Sequence, residues 1–298
     1  MNRLNYDLAA LDMDGTLLNS DHRTTAFTRD ALKRVAEAGG VLALCTGRCL
    51  SELGEHLRAL PSVAYAICEN GGSLYDVRAD RVLVQMVIPD AAAERILALT
   101  RDCDVCVQCF YGERSHLQTM QPEDLERCHV LDFLPVFRQG SVETPDVVGA
   151  WRRSGQPMEK INLYFATARG RAQFLDALGD TGLAVTGSLG VGCEISPPEA
   201  TKGRGLIALC EHLGVPVARS MAVGDGGNDE PLMRAAGFSV AMGNAADAVK
   251  AAADAVADDA TTTARRRRCS GTCWAAIELR PVRLKRAQKV SHLEPVPE

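Results

Sequence analysis

Four aspartates and a lysine stand where apolar runs of this chain end or resume. The segment LAALDMDGTLLNSD, Leu8 to Asp21, delivers Asp12 and Asp14 out of an apolar run and turns at once on Gly15-Thr16. A buried carboxylate is costly unless it is paired, hydrogen-bonded or metal-bound, so two acids one residue apart call for a cation. From a strand end Asp12 directs its side chain into the space beyond the sheet. Asp14 faces the same space if the chain turns there, and Gly15 supplies the freedom for that turn. Taken alone, the segment is better read as a capped Asp-Gly turn after a strand. A calcium loop is excluded, because that pattern needs glycine where Leu17 stands and an acid where Arg23 stands.

Three further segments carry polar groups at the same kind of place. LALCTGR puts Thr46-Gly47 directly after an apolar strand, so a hydroxyl and an accessible backbone N–H are available to phosphate oxygens; an ordinary strand-to-helix turn uses the same residues. In PPEATKGRGLIALCEHLG, Thr201 reads as an N-cap and Lys202 falls in the first helical turn. A cation there opposes the helix dipole and implies an anion nearby. SMAVGDGGNDEPLM is an apolar strand, a glycine-rich loop holding Asp225, and then Asn228 as N-cap with Pro231 in the first turn. Helix N-terminal preference accounts for Asp229 and Glu230, but not for Asp225 at the strand end.

The elements that must position these groups alternate. YDLAAL, GVLALC, VAYAIC, SMAVG and FSVAM read as buried parallel strands, with amphipathic helices near residues 24–38, 49–60, 202–213, 229–236 and 244–253. Such alternation predicts a doubly wound, mainly parallel α/β sheet, which binds ligands beyond the carboxyl ends of its strands. Asp12, Thr46, Asn70 and Asp225 all fall there. Between them, strand-like CVQCF, KINLYFA, LAVTG and CEI mix with helical AAAERILAL and GRAQFLDAL, predicting an inserted α+β domain. The expected division is a core of residues 1–84 and 197–259, an insert of 85–196, and an atypical tail of 260–298.

Bulk properties exclude other classes. With 298 residues, 46% of them hydrophobic and 24% charged, the chain has ample core for two domains. No window reaches the roughly 20 apolar residues of a membrane span, and the N-terminus lacks the pattern of a signal peptide, so a cytoplasmic protein is expected. Eleven scattered cysteines suit reduced thiols better than a disulfide framework. Cys103, Cys106 and Cys109 suggest zinc by their cluster, but their Val and Phe neighbours favour a strand.

Together, and in this order, DMDGT, TGR, Lys202 and GDGGND resemble the four motifs of the haloacid dehalogenase superfamily of phosphatases. ENGG at Glu69 to Gly72, the insert, EISPPEATKG and VAMGNAADAVKAAADAV are similar to the Cof-type subgroup, which carries a large α/β cap. The resemblance spans about residues 6–259. It implies a phosphatase acting on small phosphorylated metabolites such as sugar phosphates or phosphorylated cofactors. Asp12 would be the nucleophile, giving an aspartyl-phosphate, and Asp14 the acid and base. Mg²⁺ would be held by Asp12, the Asp14 main-chain carbonyl and Asp225. Thr46, Gly47 and Lys202 would bind phosphoryl oxygens with Asn228 nearby, and Asp229 would orient the metal or Lys202. The cap would supply specificity. A phosphomutase sharing the intermediate and a non-catalytic binding regulator are the alternatives; the intact set of Asp12, Asp14, Lys202 and Asp225 argues against the regulator.

The tail departs from the family. Residues 260–298 carry nine Lys or Arg against three acids, whereas residues 1–259 carry 24 against 35. A basic arm for nucleic acid is one reading. A frame change in the coding sequence is preferred, because the Ala260 to Ser270 codons read from the third base can encode Asn, Asp or His three times, then Gly, four Ala, Val or Leu, and Gln, which is similar to the usual family ending. A loosely packed tail without catalytic residues is expected, and no nucleic acid partner.

Overall fold

The computed structural model describes residues 5–257, except Ser20, Gln139 and Leu189. The expectation for the tail after Asp259 lies outside the described residues. The strands in chain order begin with β1 (Leu8–Leu11), β2 (Val41–Cys45), β3 (Tyr65–Cys68), β4 (Ser73–Asp76) and β5 (Arg81–Gln85). The insert holds β6 (Val105–Tyr111), β7 (Arg114–Gln118), β8 (Ser141–Thr144), β9 (Lys160–Phe165), β10 (Ala184–Gly187) and β11 (Cys193–Ser196). Last come β12 (Ser220–Gly224), β13 (Phe238–Ala241) and β14 (Ala255–Val256). Two compact units divide the described residues: 5–45, 62–64 and 202–257 in one, 46–61 and 65–201 in the other. Packing thus groups residues 46–61 and 65–84 with the insert, where the sequence boundaries assign them to the core.

In the first unit the strand order is β14-β13-β12-β1-β2, and every pairing is parallel. Its central strands β1 and β12 are short and buried throughout, as an apolar run without alternation requires when both faces are covered. The helix Ala26–Glu37 links β1 to β2, capped by the Thr25 hydroxyl on the Thr28 N–H and burying Ala31, Leu32 and Val35. From β1 the chain winds one way to β2, while β12, β13 and β14 progress the other way. The reversal lies between β1 and β12, and a doubly wound sheet opens its ligand crevice at such a point.

The helix Lys202–Leu213 packs on Glu230–Ala235 so closely that a Cβ at Gly203 would stand 2.5 Å from the Pro231 carbonyl oxygen. Substitution there forces the two helices apart.

The second unit contains the antiparallel meander β3-β4-β5 and a six-stranded sheet of order β10-β11-β9-β6-β7-β8, antiparallel except for β7 with β8. Period two explains its two faces. Val105, Val107, Cys109 and Tyr111 join Ile161, Leu163 and Phe165 in a core under the helices Asp90–Leu99, Val147–Ser154 and Ala168–Leu178. Cys106 and Tyr164 face the opposite way, against Leu125, Cys128 and Leu134. Cys106 and Cys109 therefore lie on opposite faces and cannot share a zinc ion. All nine described cysteines are free thiols.

Candidate active site

The first unit brings Asp12, Lys202, Asp225 and Asp229 together at the carboxyl ends of β1 and β12. Leu11 pairs with Val223, and the Asp12 N–H donates to the Val223 carbonyl at 2.9 Å. That register sets Asp12 beside Gly224, the last residue of β12, so Asp225 follows one position on, at the same end of the sheet. Lys202, at the start of its helix, is fully buried. Its ammonium donates to Asp12 Oδ1 and to Asp229 Oδ1, each at 2.6 Å. The anions that the helix position demanded are these two carboxylates.

Asp229 is the most heavily engaged of the three carboxylates. Its Oδ1 takes Lys202, and its Oδ2 accepts the backbone N–H groups of Asp225 and Gly226 at 2.9 Å each. The side chain closes the glycine-rich loop back on itself, and a Cβ at Gly224 would come within 2.4 Å of it. Asn228 is not the N-cap that the sequence suggests. The loop first makes a 3-10 turn over Gly227–Asp229, so Asp229 precedes the helix Glu230–Ala235 and Asn228 is exposed above Gly226.

Among the described residues Asp12 and Asp225 accept fewer hydrogen bonds than Asp229, and one oxygen from each of Asp12, Asp225 and Asp229 lies within 4.8 Å of the others. Burial pushes the Asp12 carboxyl up to about 7, with Lys202 pulling it down and Asp229 and Asp225 pushing it up. Burial and Asp229 also raise Asp225, against the hydrogen bond from Thr16. Burial opposes the charge on Lys202, yet Asp12 and Asp229 outweigh it and hold the ammonium above its ordinary range. Two acids this close, both raised chiefly by burial, suit a hard divalent cation with oxygen ligands.

Two residues not singled out as site residues in the sequence hold Asp225. Thr16 Oγ1 donates to its Oδ1 at 2.7 Å, and Asn244 Nδ2 donates both to its Oδ2 at 3.0 Å and to the Gly15 carbonyl at 3.1 Å. The available signal was an asparagine just past the end of β13, at the same sheet edge. Gly15 adopts φ +85°, and a Cβ there would stand 2.2 Å from Asp225 Oδ2. Asp14 is exposed, with His22 Nδ1 at 3.8 Å from its Oδ1. The turn holding it is tight: the N–H groups of Thr16, Leu17 and Leu18 converge on the Met13 carbonyl.

Thr46 and Gly47 belong to the second unit. The Thr46 N–H donates to the Ile67 carbonyl at 2.9 Å, and its Oγ1 accepts the Arg48 N–H at 3.2 Å. Neither the hydrogen of that hydroxyl nor the Gly47 N–H has an acceptor among the described residues.

A family model described as haloacid dehalogenase-like hydrolase matches residues 9–264. The chain belongs to that family, in its Cof-type branch, and its architecture is the doubly wound α/β fold with an inserted α+β unit. Among curated relatives, an HMP-PP phosphatase of Serratia proteamaculans is 30% identical over 255 residues, covering 82% of this chain and 86% of that one. Pyridoxal phosphate phosphatase YbhA of Escherichia coli is 30% identical over 261 residues, covering 85% and 93%. A solved phosphatase of the same superfamily from Bacteroides thetaiotaomicron aligns with a TM-score of 0.70 at 28% identity, over 85% of this chain and 90% of that one. The chain is a phosphatase, a hydrolase of phosphate monoesters working through an aspartyl-phosphate. Its family uses a divalent metal ion, which the aspartate cluster is able to hold. Among the described residues no helix is long and apolar enough to cross a membrane.

Proposed function

We propose that this phosphatase hydrolyses small phosphorylated metabolites in the cytoplasm, with Mg²⁺ as its metal, and that Asp12 is its nucleophile. The observation that carries the reading is the Asp12 carboxylate, buried at the end of β1 between the Lys202 ammonium and Asp225. One oxygen is tethered by the lysine, so the carboxylate is aimed without further ordering.

In the first step Asp12 attacks phosphorus, the ester P–O bond breaks, and the electron pair leaves with the alcohol oxygen, which takes a proton from Asp14. In the second, Asp14 takes a proton from water. The water oxygen bonds phosphorus, the bond to Asp12 breaks, and inorganic phosphate departs. Exposure suits Asp14 to this role, since it must reach first a leaving group and then water. Asp12, Asp225 and the Asp14 main-chain carbonyl would hold the Mg²⁺, whose charge offsets that of the phosphoryl oxygens. Lys202, Thr46 and Gly47 would bind those oxygens, Asn228 would lie nearby, and Asp229 acts by holding Lys202 and the loop of Asp225. The relatives named for HMP-PP and pyridoxal phosphate support a small phosphorylated metabolite as substrate, and the insert, taken as a cap over about residues 85–196, would choose among such compounds.

A panel of phosphate monoesters assayed with Mg²⁺ tests the reading. Asp12→Asn preserves shape and removes the nucleophile. Because uncatalysed monoester hydrolysis is so slow that enhancements reach about 10²¹, nearly all turnover should vanish. Undiminished turnover in Asp12→Asn, or full activity in excess EDTA, would refute the mechanism.

A further inference from the structure

The Thr46-Gly47-Arg48 turn is held from behind at every carbonyl. The Thr46 oxygen accepts the Asn70 N–H at 3.0 Å, the Arg48 oxygen accepts the Glu69 N–H at 3.0 Å, and the Gly47 oxygen accepts the Lys160 ammonium at 2.8 Å. Only the last is a side chain from a distant strand, β9. Glu69 and Asn70 both adopt positive φ, +54° and +58°, a conformation that non-glycine residues enter at a cost and that gathers at functional sites. All three acceptors of the turn are thereby engaged, while the Thr46 hydroxyl hydrogen and the Gly47 N–H keep no acceptor among the described residues.

We propose that Lys160 is a positioning residue for phosphate recognition: by pinning the Gly47 carbonyl, its ammonium fixes the peptide plane on which the Thr46 and Gly47 donors depend. This rests on the assignment of those two residues to the phosphoryl oxygens. Lys160 is 3% exposed, and its ammonium lies 4.1 Å from the centre of the Phe110 ring and 3.9 Å from Glu194 Oε2. Burial works against its charge, but Glu194 on β11, Glu69 after β3 and Glu52 in the turn Leu50–Leu53 outweigh that and keep it protonated. Glu194 also accepts Asn70 Nδ2 at 3.3 Å, so one carboxylate serves two of the groups behind the turn. A buried ammonium with a single close hydrogen bond, to a backbone carbonyl, is costly for stability alone. The position of that carbonyl explains its presence.

The full-length enzyme tests this through the inhibition constant of orthovanadate, kcat/KM and the affinity for the divalent metal. Lys160→Met keeps the stem and removes the donor. It should raise the vanadate constant about tenfold, the equivalent of one net hydrogen bond, lower kcat/KM in parallel, and leave metal affinity within about twofold. Lys160→Gln, a neutral donor, should recover most of the loss. A folded Lys160→Met with unchanged vanadate inhibition would overturn the proposal, as would equal losses in both variants accompanied by lost metal affinity, which would show a structural role only.

Ammonium NMR of the ¹⁵N-labelled wild-type chain gives a test free of folding defects. A slowly exchanging Lys160 NH₃⁺ signal that shifts on adding vanadate supports the assignment, and rapid exchange without response overturns it. If the wild-type chain neither hydrolyses phosphate monoesters nor binds vanadate, the functional reading falls together with this inference. An active wild type with an indifferent Lys160→Met removes the inference alone.

Discussion

Replacing Lys202 with methionine isolates the electrostatics of the site. The side chain is fully buried, and its ammonium is the 2.6 Å partner of two carboxylates, of which Asp229 is also fully buried. Methionine keeps most of the packing volume, so the loss is chiefly that of the cation. Removing one partner of a buried pair costs about 3–5 kcal/mol. For a unit of this size, 1 kcal/mol corresponds to roughly 2–4 °C of Tm, so a fall on the order of 6–20 °C is expected at pH 8 in EDTA.

The pH dependence carries the sign. Without Lys202 nothing offsets the burial and the neighbouring Asp229 and Asp225 charges that push the Asp12 carboxyl above its unfolded value. A raised carboxyl destabilises the folded state above the unfolded pKa of about 4, and the penalty disappears below it. The Tm deficit of Lys202→Met should therefore shrink as pH falls from 8 toward 4. Saturating Mg²⁺ should shrink it as well, by replacing part of the lost charge. Adding Asp229→Asn should recover part of the loss, since it removes one unpaired acid. Thermal melts across pH, with and without metal, make the measurement. A deficit below about 1 kcal/mol, or one equal at pH 5 and pH 8, would refute the reasoning.

Asp14→Asn should still form aspartyl-phosphate from a substrate with a good leaving group, which needs little protonation, while hydrolysis of the intermediate slows. Equal relative activity on good and poor leaving groups would remove Asp14 as the acid. Gly15→Ala places a methyl where Asp225 stands, 2.2 Å from Oδ2, and should weaken divalent-metal affinity by about tenfold or more, as lost support of a ligand does; isothermal titration yielding wild-type affinity would contradict this. Glu69 is buried, both its carboxyl oxygens lack a donor among the described residues, and burial and Glu159 push it well above its ordinary range. Its penalty is absent below about pH 4 and accumulates as pH rises toward the folded value, so Glu69→Gln should gain Tm over wild type increasingly between pH 5 and pH 8. A gain independent of pH would show that its carboxyl is ionised in both states.

The apolar runs that became β1, β2, β3, β12 and β13 were legible because a buried parallel strand needs nothing but a short apolar segment, and each was found within about two residues. The polar strands β7 (RSHLQ) and β8 (SVET) were not. Their residues become strand-forming only beside a neighbouring strand, through ladder bonds and through pairs such as the Ser115 and Ser141 hydroxyls at 2.6 Å. The same limit explains Val147–Ser154, whose eight residues contain too little period to separate a helix from a turn.

At the site, residue types and their places at strand ends were local properties, so Asp12, Asp14, Lys202 and Asp225 could be read from one chain in one direction. What each carboxylate does was not local. Asp229 and Asp225 stand four residues apart in the same loop, yet Asp229 is consumed by Lys202 and two amides while Asp225 is supported by Thr16 and Asn244 and left facing Asp12. That division depends on side chains that arrive from 19 to 209 positions away along the chain, and only tertiary packing decides it. Lys160 makes the same point from the other side. Alone it is a lysine in an apolar strand, and its hydrogen bond to a carbonyl 113 residues earlier exists only in the fold. Sequence determines which chemistry is available, because side-chain type and backbone turn are local. The folded structure determines which groups are free to perform it, because hydrogen bonds and burial are settled by residues remote in the chain.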